Sequence, residues 1–288
     1  MSELLQSREV ILLDGAMGTE LSRRGLSWGG RSNIDAPKGV FEIHREYAEC
    51  GCHVLTTNTL TMNRIYIETH KVGVDVRDVN RAGAELARQA GESRQYVLGD
   101  ISSTGQMLEP YGNYKESQFY DTFKEQAEVL GEAGVDGFVI ETMFDLREAL
   151  CALRACKDNF QLPVIVSIAF ITDEAGGRTL MGNPAQDCAR QLSQAGADAV
   201  GANCGSVEPS QIAAIVSTLR SATEAPVAAQ PNAGKPKLID DRTVFEMAPG
   251  AFSAGIRECV DSGARIVGGC CGTTPEHIRA VAGVLSIK

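Results

Sequence analysis

Along the chain, amphipathic helical stretches alternate with short runs of Val, Ile, Leu and Ala, and glycine marks the junctions between them. Four junctions share one form: Glu49-Cys-Gly-Cys-His-Val, Glu132-Ala-Gly-Val-Asp-Gly, Gln194-Ala-Gly-Ala-Asp-Ala and Asp261-Ser-Gly-Ala-Arg-Ile. Each glycine stands where a helix C-cap needs a left-handed residue, and each following run has the length of a buried parallel strand. With the remaining apolar runs, eight strands are expected, near 10–14, 53–58, 96–100, 137–141, 163–168, 198–203, 226–230 and 264–269. Their starts lie roughly 30 to 40 residues apart, the span of a strand, a crossover helix and two loops. Eight such units predict an α/β chain folded as a single-domain (β/α)8 TIM barrel over residues 1–288. An open doubly wound sheet is the alternative, but it more often has six strands or fewer, and no G-x-G-x-x-G follows the first strand here.

A barrel of this kind carries its chemistry at the C-terminal ends of the strands, where the βα loops build the active face. Those ends read Asp14-Gly-Ala-Met-Gly, Thr57-Asn-Thr, Gly99-Asp-Ile, Glu141-Thr, Ser167-Ile-Ala, Asn203-Cys-Gly, Gln230-Pro-Asn and Gly269-Cys-Cys-Gly, so polar and sulfur groups concentrate there. The longest loops, around 102–118, 171–184 and 231–252, leave from the same face and are positioned to wall a pocket. No lysine occupies an expected strand end, which disfavours a Schiff-base aldolase.

Composition narrows the partners. The net charge is -10, which disfavours nucleic acid and anionic membrane surfaces, since both reward clustered Lys and Arg. No segment approaches eighteen uninterrupted apolar residues, and the N-terminus lacks the apolar core of a signal peptide, so a cytoplasmic protein with a small-molecule or protein partner is expected. Nine cysteines in 288 residues are too few for a secreted disulfide scaffold, and the odd total fits reduced thiols.

The placement of the cysteines carries more than their number. Cys204 closes the sixth expected strand, and Cys270 with Cys271 closes the eighth, flanked by Gly268, Gly269 and Gly272. Three thiolates meeting at a barrel mouth would suit a tetrahedral Zn2+ with one position open, the mark of a catalytic site. A buried Cys204 beside a vicinal disulfide, in a thiol redox or metal-storage protein, is the competing reading. The other six cysteines fall in expected helices or turns away from the active face. Three thiolates feed charge to the metal and keep an added thiolate electron-rich, so such a site activates a sulfur nucleophile, and alkyl transfer to a thiol follows.

The segments ILLDGAMGTEL (11–21), TTNT (56–59), IETMFD (140–145), GRTLMG (177–182), GANCG (201–205), QPNAG (230–234) and GGCCGTTPEHI (268–278) resemble the homocysteine S-methyltransferase family, from the first strand to the last. CCGTTPEHI and GRTLMG look most like the homocysteine-binding module of cobalamin-dependent methionine synthase. The resemblance implies zinc on Cys204, Cys270 and Cys271, and amino-acid binding by Asp14 and Glu141, which would pair with the ammonium of homocysteine. Its carboxylate would be received by the amides of Ala16, Met17 and Gly18. Asn58 is a pocket candidate, and Asn232 a candidate fourth zinc ligand or pocket hydrogen-bonder. His277 is read as a surface histidine at a helix start, not as a ligand. The methyl donor is expected to be a separate methyl-corrinoid protein or a small methylated onium compound, because this length cannot hold folate, corrinoid and reactivation domains beside a barrel. Another thiol acceptor, such as selenocysteine, is the nearest alternative.

Overall fold

Each apolar run forms a strand because the run is short and rich in residues that pack on a pleated surface, and in four of the eight a glycine ends the preceding helix. The computed structural model describes residues 1–7, 9–92, 94–239 and 242–287. Its strands are β1 (Ile11–Leu12), β2 (Val54–Thr56), β3 (Tyr96–Ile101), β4 (Gly137–Met143), β5 (Val164–Ile168), β6 (Ala199–Asn203), β7 (Val227–Gln230) and β8 (Ala264–Val267). The eight lie within a residue or two of their expected positions. Gly51, Gly134, Gly196 and Gly263, the junction glycines, all have positive φ, between 81° and 106°.

The strands are parallel and pair in the order β1-β8-β7-β6-β5-β4-β3-β2. Outer helices follow them: α1 (Pro37–Ala48), α2 (Val76–Gly91), α3 (Glu116–Glu132), α4 (Leu146–Asn159), α5 (Ala185–Gln194), α6 (Pro209–Ala222), α7 (Pro249–Asp261) and α8 (Pro275–Leu285). Two of the long loops carry antiparallel hairpins, Phe170–Thr172 with Arg178–Thr179 and Lys237–Ile239 with Arg242–Val244. Asp240 and Asp241, in the expected 231–252 loop, lie outside the described residues. No helix among the described residues is long and apolar enough to cross a membrane.

The barrel closes at the β1–β2 seam. Leu13 bridges Val54, the His53 amide donates to Leu12 O at 2.7 Å, and the Asp14 amide donates to Val54 O at 3.1 Å. The Asp14 side chain completes the seam, accepting from the Thr56 amide at 2.8 Å and the Thr56 hydroxyl at 2.9 Å. Asp14, expected as an ammonium partner, therefore spends both carboxylate oxygens on the seam, and it is not among the residues that line the cavity above it.

Alternation along each strand divides the core. Ile11, Leu13, Val54, Leu98, Val139, Ile165, Ala199, Ala228 and Ile266 fill the barrel interior, with Leu5 of the N-terminal helix Ser2–Gln6 packed against them. Their neighbours Leu12, Leu55, Val97, Phe138, Ile140, Val166, Val200, Val267 and others face the helices. Two residues beyond Leu98, Val139, Ile165 and Ala228, the same inward period brings Asp100, Glu141, Ser167 and Gln230, all buried. The interior thus turns from apolar to polar toward the C-terminal ends.

Two outcomes follow. A Cβ on Gly201 would lie 2.7 Å from Ala228 Cβ and O, so Gly201→Ala is expected to destabilise the fold by about 1–3 kcal/mol through overpacking. That is the reverse of the usual gain from restricting a glycine, and denaturant melts with an equal or higher midpoint would contradict it. Burial, opposed by the Thr56 hydrogen bonds, raises the Asp14 carboxyl from 3.8 to about 7. A raised carboxyl contributes most below pH about 4 and loses that contribution as pH climbs through 7. Melting temperatures of Asp14→Asn should accordingly decline less between pH 5 and 8 than those of the parent, and parallel declines would refute this assignment.

Candidate active site

Above the polar layer the βα loops enclose a cavity of about 540 Å3. Its walls are largely apolar, with Met17, Trp28, Leu60, Met107, Phe144 and Leu180 among them, while Asp100, Glu141, Glu148, Gln230 and the three strand-end cysteines supply the polar and sulfur groups. Gly18 is required beneath Trp28, because a Cβ there would fall 2.2 Å from the indole nitrogen.

The cysteines converge through backbone hydrogen bonds to the segment that ends β7. The Cys204 amide donates to Gln230 O, the Cys270 amide to Pro231 O, and the Ala233 amide to Cys271 O. Cys204 itself sits in the left-handed region, φ 53°, which turns its side chain off the end of β6. Thr273 and Tyr47 fix the other side: the Ala16 amide donates to Thr273 Oγ1 at 2.9 Å, and the Tyr47 hydroxyl donates to Ala16 O and Thr273 O. The three Sγ atoms lie within 4.8 Å of one another, with Cys204 and Cys271 4.0 Å apart. Three sulfurs about 2.3 Å from a tetrahedral ion would be separated by roughly 3.8 Å, so the trio fits a metal. A disulfide needs a separation near 2.05 Å, and all nine cysteines are free.

Charge in the trio gathers on one sulfur. Hydrogen bonds from Cys270 and Cys271 bring the Cys204 thiol down to about 3. In turn the hydrogen bond to Cys204 pushes Cys271 up to about 12, and with the hydrogen bond to Cys271 and burial it raises Cys270 well above the ordinary thiol range. A soft cation would relieve this arrangement by replacing the two thiol protons.

Asn203 links this sulfur site to the acids. Its Nδ2 donates to Glu141 Oε2 and Thr142 Oγ1, both at 2.8 Å, and approaches Cys270 Sγ at 3.8 Å, while its Oδ1 accepts from the Thr142 amide at 2.9 Å. Thr142 has φ 57°, strained for a β-branched residue, and the Asn203 clamp holds it there. Burial first, then the charges of Cys204 and Asp14, raise Glu141 to about 8. Burial and then Glu141 and Asp14 raise Asp100 well above the carboxylate range. Glu148, at the start of α4, accepts from the Thr104 amide and hydroxyl and from the Ser103 hydroxyl, tying the loop after β3 to the cavity wall.

Of the residues expected from sequence, Cys204, Cys270, Cys271, Glu141, Ala16, Met17, Gly18 and Asn58 line the cavity. The Ala16 amide already has its partner in Thr273, which leaves Met17 and Gly18, at the start of the short helix Gly18–Arg23, as the amides without such a partner. The Asn58 amide nitrogen is held by Gly29 O and Asn33 Oδ1. Asn232 donates to Gly205 O, and its buried Oδ1 has no partner, while its side chain helps to stabilise the Cys204 thiolate. His277, expected at the surface, is buried: it caps α8 by accepting from the Thr274 amide, and its Nε2 lies 2.8 Å from Met247 O because the loop after β7 folds over it. Asp100, Asn203, Gln230 and Glu148 were not singled out from sequence for roles at the site. The signal for Asp100 and Gln230 was the inward period, two residues beyond Leu98 and Ala228.

The chain is similar to known proteins over nearly its whole length. The homocysteine S-methyltransferase family model matches residues 11–285. Methionine synthases of Mycobacterium tuberculosis and Mycobacterium leprae are 27% and 28% identical over 97% and 99% of the chain, which spans about a quarter, 25%, of their length. The metallated homocysteine methyltransferase MmuM of Escherichia coli has the same fold, with a TM-score of 0.79 at 22% identity over 98% of both chains. The oxidized form of that enzyme aligns with a TM-score of 0.80. The chain belongs to the homocysteine S-methyltransferase family.

Proposed function

We propose that the protein transfers a methyl group to the thiol of homocysteine, giving methionine, with Zn2+ held by Cys204, Cys270 and Cys271. The observation that carries this reading is the meeting of three cysteine sulfurs within 4.8 Å on the wall of a largely apolar cavity that Glu141 also lines. Zinc bound to three thiolates would supply a low-pKa position for one further thiol while leaving that sulfur nucleophilic. Asn232, whose side chain helps to stabilise the Cys204 thiolate and whose buried Oδ1 has no partner, is the proposed occupant of that position before substrate arrives.

The remaining work falls to the chain's own groups. Glu141, steadied by Asn203, faces the amino end of the substrate, and the amides of Met17 and Gly18 face its carboxylate. Apolar walls exclude water, so the thiolate is poorly solvated and oriented for an in-line displacement. In that displacement a sulfur–carbon bond forms as the bond between the methyl group and its carrier breaks.

For the donor, we favour a methyl-corrinoid carried by a separate protein. Of the large exposed apolar side chains, Trp28, Met107 and Leu180 line the cavity, and Tyr111 and Leu238 lie on the loops after β3 and β7. An apolar rim of this kind around a cavity mouth suits contact with a protein surface better than free solvent. A small methylated onium compound is the other donor to test.

Zinc quantification followed by a donor screen with homocysteine decides the matter. One zinc per chain, its loss in Cys271→Ala together with at least a 1000-fold fall in turnover, on the order of removing a transition-state interaction, and turnover with a methyl-corrinoid protein are expected. A metal-free protein would overturn the zinc assignment. Brisk turnover with S-methylmethionine and none with any methyl-corrinoid protein would overturn the donor.

A further inference from the structure

Asn203 is a fully buried amide that keeps the inward period of β6, four residues beyond Ala199. From there its side chain reaches two parts of the barrel mouth at once. Nδ2 meets Glu141 Oε2 and Thr142 Oγ1 of β4 on one side, each at 2.8 Å, and Cys270 Sγ, just past β8, on the other at 3.8 Å. Oδ1 is fixed by the Thr142 amide. A primary amide nitrogen has two hydrogens, so these three acceptors compete for them. The sulfur is the most distant of the three, as suits a neutral thiol, which accepts weakly.

The competition changes with the charge on Cys270. A zinc ion held by three thiolates carries one net negative charge, and an added substrate thiolate brings a second. No Lys, Arg or His among the described residues lines the cavity to balance it, and the walls are largely apolar. Charge buried in this way has to be held by N–H groups. Cys204 has two such donors, the Gly205 amide and the Asn232 side chain. Apart from the other two thiols, the donor that reaches Cys270 among the described residues is Asn203. Thr142 is the acceptor that can give way, because a hydroxyl can turn and donate instead.

We infer that Asn203 is a positioning residue that donates one N–H to the metal-bound Cys270 thiolate while its other N–H holds Glu141. This rests on the reading of the cysteine trio as a zinc site. A thiolate that accepts an N–H gives less charge to its metal, which leaves the metal a better acceptor for a fourth sulfur.

Cadmium takes the same thiolate ligands as zinc and has an NMR-active isotope, so scalar coupling across an N–H···S–Cd bridge reads this bond directly. In the cadmium-loaded parent, a proton–cadmium correlation spectrum should show the β-protons of Cys204, Cys270 and Cys271 together with one side-chain amide proton of Asn203. Asn203→Ala should lose the amide signal, keep the cysteine signals, and bind cadmium and zinc about 10- to 100-fold more weakly, the range for losing a group that hydrogen-bonds a metal ligand. Glu141→Ala, which removes a competing acceptor, should keep both the amide signal and the metal affinity. A parent with the cysteine signals and no Asn203 signal overturns the inference, even if Asn203→Ala fails to fold. So does an Asn203→Ala protein of parental affinity, or a Glu141→Ala protein that loses affinity to the same degree. Absence of the cysteine signals themselves defeats the zinc reading instead.

Discussion

The site depends on one short stretch of backbone. Gln230, Pro231 and Ala233, at the end of β7, hydrogen-bond to Cys204 on one side and to Cys270 and Cys271 on the other. Because β7 lies between β6 and β8 in the barrel, these bonds bring sulfurs from distant parts of the sequence to within 4.8 Å. Closure of the barrel at the β1–β2 seam then matters to the cysteine trio, since the loop after β1 is locked to Thr273, two residues past Cys271. Fold stability and sulfur geometry are parts of one network.

Polarity along the barrel axis explains where substrate can sit. The lower interior is aliphatic, and two residues higher the same inward positions carry Asp100, Glu141, Ser167 and Gln230. Burying these groups is unfavourable in isolation, and it is offset locally by Asn203 for Glu141 and by Thr56 for Asp14. Asp100, Ser167 and Gln230 of this layer each keep a buried oxygen without a protein partner, and Asp100 and Gln230 line the cavity, where a ligand would complete the structure.

The barrel was legible in the sequence because four of the eight strands follow a glycine that needs a positive φ, and such glycines can be seen without knowing what they pack against. The cysteine trio was legible for a related reason: once strand ends are known, parallel topology places them on one face. Less was legible where function depends on which atom already has a partner. Asp14 reads as a free acid after a strand, yet its oxygens go to Thr56. His277 reads as a surface cap, and it is a cap, but the loop over it cannot be foreseen from Thr-Pro-Glu-His. Asn203 shows only an amide before a cysteine, and its grip on Glu141 and Thr142 needs the β4–β6 geometry.

The central claim is that three cysteine sulfurs leave a position for a fourth, exogenous one. X-ray absorption at the zinc edge of the loaded protein counts them directly. Three sulfurs and one lighter neighbour are expected without substrate, and four sulfurs with homocysteine. An unchanged shell on adding homocysteine, or four sulfurs before it is added, would contradict the account.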